Sequence, residues 1–157
     1  LVSLPVFLLV FFYKKGTLNK FSFRNIPLAK IIIIALCWMF SCSIIPALLT
    51  KELISIEMSF YIFSYVIAIT LPFDIRDYHF DNKSIITIPH LFGVKATYFL
   101  SILILFLLFI MNLTSYSLLI FFSVSLILIL PSYKLRSEYY YLFILDGLLL
   151  VFPIFVK

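Results

Sequence analysis

The sequence predicts an all-α polytopic transmembrane bundle, and three observations predict it. Apolar residues make up 64% of the chain and charged residues 12%, whereas a soluble domain is nearer half apolar and a quarter charged. The apolar residues come in continuous runs and not in alternation, which indicates spanning helices rather than barrel strands. The basic residues crowd every second connection, the pattern of helices that cross a bilayer in alternate directions.

Six runs follow one another: A at Leu1–Tyr13, B at Ala29–Thr50, C at Leu53–Phe73, D at Val94–Asn112, E at Leu113–Leu130 and F at Tyr139–Val156. A spanning helix needs roughly 20 apolar residues, so B, C and D qualify directly, and E and F fall slightly short. Run A has no charged stretch before it and does not read as a signal peptide. It reads as a membrane segment entered partway. The expected organisation is one transmembrane helical domain over residues 1–157, incomplete at its N-terminus. Pro46, Pro72, Pro131 and Pro153 lie in or at the ends of these runs, where proline kinks a helix or frees a carbonyl.

The A–B connection carries Lys14, Lys15, Lys20, Arg24 and Lys30, the C–D connection Arg76, Lys83 and Lys95, and the E–F connection Lys134 and Arg136. The B–C connection has Lys51 alone and D–E has no basic residue. The basic connections are therefore expected on the cytoplasmic side of a cell membrane, the inner membrane if the source is bacterial. The net charge of +5 does not point to nucleic acid, because these residues form no continuous stripe. Cys37 and Cys42 share run B, a spacing that reads as small buried side chains and not as a disulfide or zinc site.

The stretch Asp74-Ile75-Arg76-Asp77-Tyr78-His79-Phe80-Asp81 holds three of the seven acidic residues, directly after run C. Ionisable groups at membrane depth are costly and mark functional sites. Wound as a helix, positions 74, 77 and 81 fall within roughly 60° of one another. Clustered hard oxygens of this kind suit Mg²⁺ better than zinc or copper. His79 and His90 read as interfacial polar residues. Asp146 lies inside run F beside Gly147, placed either to pair with a basic group or to line a cavity.

The Asp-x-x-Asp-x-x-x-Asp spacing resembles the second aspartate-rich motif of the UbiA-type intramembrane prenyltransferases, with Asp74, Asp77 and Asp81 at its three positions. Lys83, Thr87-Ile88 and Gly93 resemble landmarks that follow the motif, and Lys14-Lys15-Gly16-Thr17 resembles a Lys-Arg-x-Thr element upstream of it. The resemblance implies a nine-helix fold in which runs A to F are similar to helices four to nine. The family's first motif, Asn-Asp-x-x-Asp, has no counterpart, since no Asn-Asp pair occurs in the chain.

The resemblance further implies a Mg²⁺-dependent transfer of a prenyl group from a prenyl diphosphate to an aromatic or quinone-precursor acceptor. Asp74, Asp77 and Asp81 would hold Mg²⁺, with Asp77 and Asp81 the catalytic pair. Arg76, Lys83 and Lys14 would contact the diphosphate. Tyr65, Tyr78, Tyr98 and the Tyr139–Tyr141 run are expected near cytoplasmic ends, as cation-stabilising rings or as an interfacial belt. Two other readings remain open: a catalytically inactive or partial relative with a structural role, and a transporter. A transporter would place its ionisable groups nearer the midplane.

Overall fold

The computed structural model of the chain describes residues 28–78, 87–134 and 137–155. Within these residues the protein is all-helical. Helix α1 is Ala29–Thr50, α2 is Ile56–Asp77, α4 is Val94–Met111, α5 is Tyr116–Tyr133 and α6 is Tyr140–Phe155; the short α3, Ile88–Phe92, precedes α4. Helices α1, α2, α4 and α5 are long and apolar enough to cross a membrane, and α6 is apolar but shorter. Run A lies outside the described residues. Run E begins three residues later than expected, because Leu113 and Thr114 form the turn after α4 and α5 starts at Tyr116.

Successive long helices run antiparallel, as cross-helix contacts at both ends show. Ser43 and Ser59 hydroxyls meet at 2.8 Å near the end where α1 finishes and α2 starts. At the other end, Lys30 of α1 reaches Asp74 of α2. There too the Tyr98 hydroxyl donates to the Leu130 carbonyl at 2.7 Å, and Tyr141 donates to the Ser132 carbonyl at 2.9 Å. Lys30, Arg76, Lys95 and Lys134 therefore gather at one end, and Lys51 lies at the other.

Helix α2 is the central element. Its buried residues include Tyr61, Ile62, Tyr65, Val66, Ala68, Ile69 and Leu71. Ser55 caps its start, accepting from the Met58 amide at 3.1 Å, and Glu57 in the first turn complements the positive end of the helix dipole. Tyr65 is buried at mid-helix and does not lie at a helix end as the sequence suggested. Its ring stacks 4.2 Å from Phe152 and packs against Phe121 and Phe122, and its hydroxyl bonds to Ser125 at 3.0 Å. Many large apolar side chains of the described residues face outward, including Phe99, Leu107, Ile127 and Phe143.

Pro72 lies inside α2, and the helix continues beyond it to Asp77. Proline has no amide hydrogen, so the carbonyl four residues earlier loses its usual donor. That carbonyl belongs to Ala68. The Ser101 hydroxyl of α4 donates to it at 2.6 Å. A cross-helix side chain thus replaces the missing backbone bond, and α2 carries its last turn, with Asp74, Arg76 and Asp77, as ordered helix.

Candidate functional site

The last turn of α2 places carboxylates where the helix dipole is negative, which is unfavourable. The sequence offsets this locally and from α1. Arg76 Nε donates to Asp77 Oδ1 at 2.7 Å. Lys30, in the first turn of the antiparallel α1, places Nζ 3.1 Å from Asp74 Oδ1. The two helix ends favour this pair reciprocally, since Asp74 sits at the positive end of α1 and Lys30 at the negative end of α2. The Asp74 side chain is only 4% exposed, while that of Lys30 is 41% exposed. The Arg76 guanidinium lies 5.0 Å from the Tyr141 ring centroid and 5.5 Å from that of Phe73, within cation–π range.

Lys30, Asp74 and Asp77 open on a cleft of about 240 Å³ between α1, α2 and α6. Lys30, Ile34 and Trp38 line it from one face of α1, and Asp77, Asp74 and Thr70 from one face of α2. Eight residues of α1 correspond to roughly 12 Å of depth. The mouth is charged and the deeper wall is largely apolar and aromatic. Asp146 and Leu149 of α6 close the third side. Asp146 forms no salt bridge or hydrogen bond among the described residues, though Arg76 lies within electrostatic reach of it. On the opposite side of α6 a larger groove, about 450 Å³, is lined by Phe121, Leu128, Gly147 and Val151 and carries no ionisable group.

The chain matches no family model, no curated protein and no solved structure.

Among the residues singled out in the sequence, the structure brings Asp74, Asp77 and Asp146 to one cleft, with Arg76 paired to Asp77 beside it. Asp81, Lys83, Lys14 and His79 lie outside the described residues. Among the described residues α2 carries Asp74 and Asp77 on the face that lines the cleft. Among the described residues no three His, Cys, Asp or Glu side chains cluster closely enough to hold a metal ion by themselves. The donor set still fits Mg²⁺, which is commonly bound through one or two carboxylates, waters and substrate phosphates and not by an all-protein cage. Asp74 and Asp77 supply that number of hard oxygens beside a cleft.

Lys30, read in the sequence only as a topology determinant, and Trp38 are among the cleft residues that the sequence did not assign to a site. Their signal was the spacing Lys30, Ile34, Trp38, which repeats on one helical face and ends in the chain's single tryptophan. His90 is structural: its Nδ1 lies 2.7 Å from the Thr87 hydroxyl in a capping box, and its ring packs 4.5 Å from Tyr78. The tyrosine run divides by role. Tyr139 is exposed, Tyr140 donates to the Leu128 carbonyl, and Tyr141 is buried under Arg76.

Proposed function

We propose that this protein is an integral membrane prenyltransferase of the UbiA type, with the charged mouth of the cleft on the cytoplasmic side. It would move a prenyl group from a prenyl diphosphate to a lipophilic aromatic or quinone-precursor acceptor. One observation carries the reading: Asp74, Asp77 and Lys30 stand at the mouth of a cleft whose inner wall holds Trp38, Ile34 and Leu149. Such a cleft suits an amphiphile with a polyanionic head and an apolar body. The motif spacing adds the identity of the head, a diphosphate.

In this reading Asp74 and Asp77 hold Mg²⁺, which on binding would neutralise the phosphates and stabilise charge on the leaving diphosphate. Lys30 exchanges its carboxylate partner for a phosphate oxygen. Its half-exposed ammonium can make that move without dragging a buried group into water. Arg76 stays fixed by Asp77 and by the faces of Phe73 and Tyr141, and presents its remaining N–H donors to the head group. Asp81, Lys83 and Lys14 would join from segments outside the described residues. Ile31, Trp38 and Phe73 exclude water from the reacting carbon.

The test uses full-length protein in lipid nanodiscs with Mg²⁺, a radiolabelled prenyl diphosphate and an aromatic acceptor. Labelled product should form, and Asp77→Asn should lose most of it. Equal turnover in both proteins would remove the catalytic reading. A non-catalytic structural role is the second reading, and a specific observation favours it. Asp74 already holds Lys30 of α1 at 3.1 Å, as a charge lock between helices would, and Asp77 holds its neighbour Arg76 at 2.7 Å. On that reading Asp77→Asn lowers stability and changes no ligand binding.

A further inference from the structure

Three carboxylates line the cleft, and two of them are matched to cations. Asp74 has Lys30 and Asp77 has Arg76. Asp146 forms neither a salt bridge nor a hydrogen bond among the described residues. It stands six residues after Tyr140, inside α6, with the cleft in front of it and the apolar Leu149 one turn further on. The helix is wound as a π-helix over Tyr140–Leu145, immediately before it. Such wide turns change which face the following residues present and are frequent at functional sites.

A carboxylate with no salt bridge or hydrogen bond, and with Arg76 only within electrostatic reach, is a poor neighbour for a diphosphate, since like charges repel across a low-dielectric cleft. It is a good neighbour for a neutral group about to lose a proton. We propose that Asp146 is the catalytic base of this site, taking the proton that an aromatic acceptor releases. The inference rests on the prenyl-transfer reading above and assigns a residue to a step which that reading leaves open. The allylic C–O bond breaks and its electron pair departs with the diphosphate. A π pair of the acceptor ring forms the new C–C bond at the freed prenyl carbon. The C–H pair at the same ring carbon then returns to the ring, and the proton passes to an Asp146 carboxylate oxygen and on to water. Asp77 and Asp146 thus divide the work of the cleft, one gripping the leaving head and the other discharging the acceptor.

The test compares full-length wild type, Asp146→Asn and Asp146→Ala in nanodiscs. Three quantities are read separately: Mg²⁺-dependent binding of labelled prenyl diphosphate, release of diphosphate, and labelled product. Asp146→Asn should bind prenyl diphosphate as wild type does and lose about 10²–10⁴-fold in transfer, the usual worth of a positioned base. Added formate should restore part of the transfer in Asp146→Ala, which a purely structural role would not allow. Wild-type transfer by Asp146→Asn overturns the proposal while leaving the prenyl-transfer reading intact. Loss of diphosphate binding together with transfer also overturns it, because Asp146 would then belong to the head-group grip or to the fold. Absence of both binding and transfer in wild type defeats the underlying reading, and this assignment with it.

Discussion

Replacing Ser101 with alanine tests how the structure carries its candidate site past a proline. Ser101 and Ala68 are both fully buried, and the Ser101 hydroxyl is the donor to the carbonyl that Pro72 leaves without one. Removing it strands a buried carbonyl, at a cost of about 1–3 kcal/mol. Cross-helix hydrogen bonds in membranes fall at the low end, about 0.6 kcal/mol on average and up to about 1.7. The short 2.6 Å contact and complete burial place Ser101→Ala towards the upper part of that range, at about 1.5 kcal/mol. Pro72→Ala returns an amide donor to Ala68 from within α2. In that background Ser101→Ala should cost little. A double-mutant cycle read by reversible unfolding in bicelles should therefore give a coupling of about 1 kcal/mol or more. Additivity within about 0.5 kcal/mol would refute the reasoning, because the serine would then not be substituting for the proline's missing bond.

Lys30→Met should destabilise by about 1–2 kcal/mol, between the worth of an exposed pair and that of a charged hydrogen bond, since only the Asp74 side is buried. Asp74→Asn in the same background should recover part of this loss, and equal loss in single and double variants would show that the pair does not form. Gly93→Ala should cost about 1–3 kcal/mol by the same unfolding assay, because φ 82° and ψ 155° is a conformation essentially reserved for glycine. Gly147→Ala lies in a helix with open space around the added carbon and should be neutral or stabilising by up to about 1 kcal/mol. Reversal of that order would contradict the backbone account.

Hydropathy alone located the long helices, because each is a continuous apolar run and lipid leaves the backbone no alternative to helix. Helix ends were less legible where chemistry and hydropathy disagree. The apolar run C stops at Phe73, and hydropathy alone does not say that α2 winds on through Asp74, Arg76 and Asp77. The reason lies in partners distant in sequence: Ser101 for the backbone, Lys30 for Asp74. Tyr65 was misplaced for a related reason. Composition cannot separate a ring at a membrane interface from one in a core, and the Ser125 partner that makes burial tolerable lies 60 residues away. Within the site, the local pair of Asp74 and Asp77 was legible because a three-residue spacing fixes a helical face. Asp146 was legible as an acid inside an apolar run, but that it shares a cleft with Lys30 and Trp38 depends on how separate helices are rotated about their axes, which the sequence does not specify.

The central claim is that Asp74 and Asp77 grip a magnesium-bound diphosphate at the mouth of the cleft. Equilibrium binding of a labelled prenyl diphosphate to full-length protein in nanodiscs, with Mg²⁺ and with EDTA, measures it most directly. The account predicts saturable binding that EDTA abolishes, that Asp74→Asn and Asp77→Asn each weaken severely, and that excess inorganic pyrophosphate displaces. Binding that survives EDTA and both substitutions, or no binding by wild type, would contradict it.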